Sequence, residues 1–128
     1  MPFNKLDYET FYSNLRKMFP RIEAMNVWTE WEFSNESGTH SVIMSELARE
    51  MIVWASEGQF HEVKRLLEYI DKAFEDANDA VISIIGTDFT VTILECEDKF
   101  ARETIKSLMP ARLANAYQIN LRGYIEPN

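Results

Sequence analysis

His61 and Glu62 open like the helical zinc-protease signature, in which two imidazoles one turn apart hold the metal and the glutamate between them activates water. Position 65 is Arg65, so that turn of helix supplies one imidazole and the signature fails. The other histidine is His40 and the one cysteine is Cys96, and these three residues show no metal-ligand spacing. A Cys–His nucleophile would need the fold to bring Cys96 to an imidazole, whereas cysteine on an apolar stripe is more simply inert packing. Gly38, Gly58, Gly86 and Gly123 are scattered, so no glycine-rich loop can cradle a phosphate. Carboxylates are plentiful, but none sits with a predicted apolar pocket that would raise its pKa for acid catalysis. The expectation is a protein that is not an enzyme, with no catalytic residue, no metal and no cofactor.

What the chain does carry is charge. Its net charge is −8, and the entire excess falls in residues 57–98, which hold 11 acids against Lys64, Arg65 and Lys72. The rest of the chain balances. Such a field repels nucleic acid and anionic membranes and attracts basic partners. The plainer reading is a solvated face that serves solubility. Glu68, Asp71, Glu75, Asp76 and Asp79 are the candidate partner-binding residues, because the end of a helix and the following turn should hold them on one exposed edge. Glu62 and a second cluster, Glu95, Glu97 and Asp98, are weaker candidates.

These acids have to be positioned by helices. Between His40 and Phe74 two apolar series occur at helical spacing: Val42, Ile43, Leu47, Met51, Ile52, Trp54 and Ala55, then Phe60, Val63, Leu66, Leu67, Ile70 and Phe74. The short break at Gly58 makes the two helices antiparallel neighbours, and the remaining elements should pack on this hairpin. Before it, Asp7 can cap a helix that Pro20 ends, since a following proline disfavours helical geometry at Phe19. Ile22, Met25, Trp28 and Phe33 suggest a short helix over 21–33. Trp28 and Trp31 could form an exposed aromatic anchor, although tryptophan more often sits in the core. The turn-prone run 34–39 then leads into the hairpin. After it come a helix from Asp98 to Met109 and one starting at Pro110, with Gly123 as left-handed C-cap. Arg112 and Arg122 of that last helix can pair with the acids of the middle segment.

Residues 80–96 admit two structures. Val81–Ile85 and Phe89–Leu94 flank Gly86-Thr87-Asp88, and the β-branched second arm alternates as a strand would, which suggests a β-hairpin over 81–94. Yet positions 81, 84, 85, 88, 89, 92, 93 and 96 form a helical stripe with six apolar members, interrupted by Asp88 and Thr92, and Asp79 can cap it. A lone two-stranded hairpin would have no other strand to support it. The expected fold is therefore all-α: a single domain, residues 1–128, of six or seven helices packed as antiparallel hairpins. The alternative is α+β with a hairpin near 81–94.

The chain is long enough for one compact core and too short for two. No apolar run approaches the roughly 18 residues that span a bilayer. The N-terminal residues lack the layout of a secretion signal, and one cysteine forms no internal disulfide, so a cytoplasmic location is expected.

The runs HSVIMSELARE from His40, LEYIDKAF from Leu67 and NDAV from Asn78 resemble an uncharacterised bacterial family of small helical proteins, over roughly residues 40–94. A small, acidic, cysteine-poor chain without catalytic groups also resembles the immunity proteins of bacterial contact-dependent growth inhibition. That resemblance implies a cytoplasmic inhibitor of one cognate toxin domain, a basic nuclease, with no direct contact to nucleic acid or membrane. A monomer or weak oligomer is expected in the free state, and the resemblance transfers no individual contact residue. A non-catalytic helical adaptor or regulatory subunit is the other reading, and it would place the binding energy in exposed aromatics such as Trp28 and Trp31.

Overall fold

A computed structural model describes residues 5–29 and 37–125, with side chains over 5–29 and 38–122. Its helices are α1 (Tyr8–Met18), α2 (Pro20–Glu23), α3 (Ser37–Ser56), α4 (Phe60–Asp76), α5 (Asp79–Ile84), α6 (Thr90–Leu94), α7 (Lys99–Leu108) and α8 (Ala111–Ile125), with a π-helical turn, Ile85–Phe89, joining α5 to α6. Counting α5, the π-turn and α6 as one continuous rod leaves seven rods among the described residues, besides a helical turn at 27–29. The fold is all-α, and no strand occurs among the described residues. Among the described residues the one β-like feature is an isolated parallel bridge between Leu6 and Ala77.

Local chemistry sets most boundaries. Asp7 caps α1 by accepting from the Thr10 amide at 2.9 Å. Phe19 is extended before Pro20, which then occupies the first turn of α2. The α3–α4 hairpin turns at Gly58, whose φ of 82° suits glycine. There the Gln59 amide donates to the Trp54 carbonyl at 2.9 Å and the Gly58 amide to the Ala55 carbonyl at 3.2 Å, the paired bonds of a Schellman cap.

α3 is the hub, packed against α4, the π-turn, α6 and α7. Its Ile43, Met44, Leu47, Ala48, Met51 and Trp54 are essentially inaccessible to solvent. Phe11, Tyr12 and Leu15 of α1, Val63, Leu66 and Ile70 of α4, and Leu113 and Tyr117 of α8 join the same core. Each helix buries one stripe, so the driving force is shared among many side chains, each contributing about 1.5–3 kcal/mol on burial.

Several boundaries differ from those the sequence suggests. α3 begins at Ser37, so residues 37–39 are its first turn and not a loop. α5 is capped by Asn78, whose side chain accepts from the Val81 amide at 3.0 Å, and Asp79 instead occupies the first turn. Gly123 lies inside α8, which continues to Ile125, and is not a C-cap. Trp28 is no exposed anchor: it is buried, its indole N–H donates to the Ile22 carbonyl at 2.7 Å, and the Arg16 guanidinium covers its ring at 4.8 Å. Trp31, Phe33 and residues 34–36 lie outside the described residues.

Residues 79–94 are helical, so the hairpin alternative is excluded. The buried set is Val81, Ile84, Ile85, Phe89, Thr90, Ile93 and Leu94. A regular helix would have turned Asp88 and Thr92 inward. The π-turn holds one extra residue and advances the phase of everything after it, so Thr90 and Leu94 are buried and Asp88 and Thr92 are only half-buried. Asn120 of α8 supports this turn. Its amide nitrogen donates to the Gly86 carbonyl, to the Thr90 hydroxyl at 2.8 Å and, within its own helix, to the Ala116 carbonyl at 3.1 Å. The Thr90 hydroxyl in turn donates to the Gly86 carbonyl at 2.8 Å.

Candidate functional site

An open groove of about 810 Å³ lies between α1 and α4. One end is closed by the chain entering α1. Leu6 donates its amide to the Asp76 carbonyl at 2.8 Å, and its own carbonyl accepts from the Asn78 amide at 2.9 Å, so residues 5–6 are stitched to the end of α4. Leu6, Met18 and Tyr69 contribute half-buried apolar surface to the lining. The Tyr69 hydroxyl donates to the Phe11 carbonyl at 3.1 Å and its ring lies 5.3 Å from that of Phe11, which fixes α1 against α4. Burial pushes the Tyr69 phenol up from its ordinary pKa, so it stays neutral.

Three of the five candidate acids, Glu68, Glu75 and Asp76, lie on the wall of this groove, together with Lys5, Arg65 and Lys72. Their situations differ. Glu75 is held by Arg112 of α8. Asp76 sits 3.6 Å from Lys72, one turn back. That pair takes the place of the Glu68–Lys72 contact that the spacing also allows. Glu68 is exposed and has no hydrogen bond or ion pair among the described residues.

Asp71 and Asp79 do not join them on the wall. Asp71 is a correction to the expected exposed edge: it is 7 % exposed and built into the fold. One of its oxygens accepts from the Leu113 amide at 2.8 Å and the other from Arg112 at 2.9 Å. It therefore caps α8 across 42 residues of sequence, supplying the acceptor that Pro110 and Ala111 cannot. The spacing on α4 does turn Asp71 the same way as Glu68 and Glu75, but the N-terminus of α8 docks over it. Asp79 is exposed in the first turn of α5, away from the groove lining. Of the weaker candidates, Glu62 pairs with Arg65 at 3.2 Å and Asp98 caps α7 by accepting from the Ala101 amide at 3.0 Å. Glu95 and Glu97 are exposed. Arg112 meets the middle-segment acids as expected, whereas Arg122 makes no ion pair among the described residues.

The chemically versatile side chains are dispersed. His40 is buried and stacked on Tyr8, ring centroids 3.6 Å apart, and its Nδ1 is 3.3 Å from the Tyr12 hydroxyl. Cys96 is half-buried, its thiol directed at the Asp98 carbonyl at 3.5 Å, and His61 is exposed on α4. His40 and Cys96 thus have separate partners. Among the described residues no group of three His, Cys, Asp or Glu side chains could hold a metal ion. No described helix is long and apolar enough to cross a membrane.

Burial lowers the pKa of His40 from its ordinary value, and this sets a pH dependence of stability. Between about pH 6.5 and the lower folded value, the unfolded chain binds a proton that the folded chain refuses. Stability is therefore full above that window and falls as the pH drops through it, by at most about 1.4 kcal/mol per pH unit. Tyr8 and Tyr12 of α1 face the imidazole and stay neutral here, since burial raises both phenols. Asp88, which accepts from Ser41 at 3.2 Å, is the carboxylate that acts on these two phenols. Chemical denaturation at pH 7.5 and 5.5 should show this loss, and His40→Asn should reduce it. An equal loss in the variant would assign it to other groups.

These features define an all-α protein with a two-helix groove and no assembled catalytic constellation among its described residues. The chain belongs to the family described as a domain of unknown function, DUF7674, whose model matches residues 12–123. That span takes in every described helix except the first turn of α1 and the last residues of α8. No curated protein and no solved structure matches the chain.

Proposed function

We propose that the protein is an immunity protein, a non-catalytic cytoplasmic inhibitor that binds a cognate basic toxin domain of nuclease type and blocks its active site with an acidic surface. The observation that carries this reading is that Glu68, Glu75 and Asp76, which are spread over two turns of α4, come together on the wall of one open groove. Nuclease sites are basic because they bind phosphates, so an acidic partner can occupy them and be steered onto them. The remaining excess of acids in residues 57–98 reinforces the steering without making contacts. The buried Trp28 weakens the adaptor reading, whose energetic centre it would supply.

The test first asks whether a gene beside this protein's encodes a secreted protein with a basic C-terminal domain, and that domain is the ligand. Association is measured against salt for the wild type and for Glu68→Lys/Asp76→Lys. These positions leave Asp71 and the Arg112 contacts intact, so the variant should fold. The association rate of the wild type should fall as salt rises, since screening acts over about 8 Å at physiological ionic strength. The variant should associate about tenfold more slowly or worse. Wild-type rates in the variant would remove these acids from the interface, and failure of the toxin domain to bind at all would remove the function.

A further inference from the structure

We propose that the groove between α1 and α4 receives a three-turn amphipathic helix of the partner protein, with one lysine or arginine about one turn from its end reaching Glu68 and an apolar stripe lying on Leu6, Met18 and Tyr69. This rests on the reading of the protein as one that binds another protein, and it specifies which segment of the partner docks. The wall formed by α4 runs from Arg65 to Asp76. Eleven steps of about 1.5 Å make a trough roughly 16 Å long, the length of three helical turns. The lining is apolar where Leu6, Met18 and Tyr69 contribute to it and charged along the wall, the arrangement that accepts an amphipathic helix laid lengthwise.

The charges on the wall say what the helix must carry. Arg65 is occupied by Glu62 at 3.2 Å and by the ring of Phe19 at 4.8 Å. Lys72 and Asp76 face each other, and Glu75 belongs to Arg112. Lys5 stands at the far end, beside the Leu6–Asp76 stitch. Glu68, about one turn from the Arg65 end of the wall and between Arg65 and Lys72, has a side chain with no hydrogen-bond or ion-pair partner among the described residues. A helix without a cation at that point would bury this carboxylate uncompensated, and one with an acid there would be repelled. A cation one turn from that end of the docked helix is therefore what the groove selects.

The test uses two synthetic helical peptides of about 12 residues, identical except for lysine or glutamate one turn from an end, each with leucines at i, i+3, i+4 and i+7. They are titrated into the isotope-labelled full-length protein, and the affected amides are mapped. The lysine peptide should shift amides around Met18, Glu68, Tyr69 and Lys72 and bind more tightly than its twin. Glu68→Gln should narrow the difference by about threefold to fivefold, and Met18→Glu should weaken both peptides. Shifts centred on the exposed Phe60 and Phe100 pair, equal binding of the two peptides, or no binding would each overturn the proposal. The two readings fail separately. A toxin domain that binds with unchanged affinity to Met18→Glu and Glu68→Gln sinks the groove and spares the function. Peptide binding at the groove with no toxin binding does the reverse.

Discussion

Replacing Asp71 with alanine should cost about 2–3 kcal/mol of folding stability, the largest loss expected from any single charged residue here. Two separate deficits add. The Leu113 amide at the start of α8 loses its acceptor, and the Arg112 guanidinium loses the buried half of its carboxylate clamp. Loss of a helix cap alone is typically about 1 kcal/mol, and leaving a buried donor unpaired adds a similar amount. The ion-pair share is discounted, because Arg112 is 46 % exposed and keeps Glu75. For a domain of this size the thermal midpoint should fall by roughly 10 °C. Asp71→Asn should recover part of this, since its amide oxygen can still accept from Leu113. Circular dichroism melts of both variants check the order. A melt of Asp71→Ala that overlays the wild type would mean that the cap is dispensable, and Asp71 would return to the list of binding candidates.

Replacing Asn120 with aspartate should cost a further loss of the same order, about 2 kcal/mol, through the π-turn and not through α8 itself. The Asn120 amide donates toward the Gly86 carbonyl and the Thr90 hydroxyl. A carboxylate in its place has nearly the same shape, cannot donate, and puts negative charge against the Gly86 oxygen. Asn120→Ala should cost less, because it removes the donor without adding repulsion and leaves room for water. Hydrogen exchange separates a local from a global effect. Amides of residues 85–94 should lose protection more than those of α3 or α4. Uniform loss across the helices would show that Asn120 acts on the whole core, and no loss would show that the π-turn stands without it.

These two residues mark how far the chain could be read without its fold. The α3–α4 hairpin was legible because its cause is local: apolar residues recur at 3.6-residue spacing, and Gly58 supplies a left-handed turn that few other residues tolerate. The same holds for Asp7, Pro20 and Asp98, whose effects reach only three residues or fewer along the chain. The helix at 79–94 was half legible. Its stripe was visible, and Asp88 and Thr92 stood in it as misfits. A one-residue phase shift moves both off the buried line, but a π-turn has no sequence signature short of such misfits, and its support comes from Asn120, 30 residues away from Thr90.

The acidic excess of residues 57–98 belongs to composition and holds whatever the fold. Which acids are available to a partner is decided by what packs over α4. Glu68 faces the groove beside α1, Glu75 is shared with Arg112, and Asp71 disappears under the N-terminus of α8. Helical spacing sets the direction in which each carboxylate leaves α4, a property of the backbone period alone. Whether solvent, a lysine or another helix waits there depends on contacts between residues some 40 positions apart, and only the packed chain brings those together.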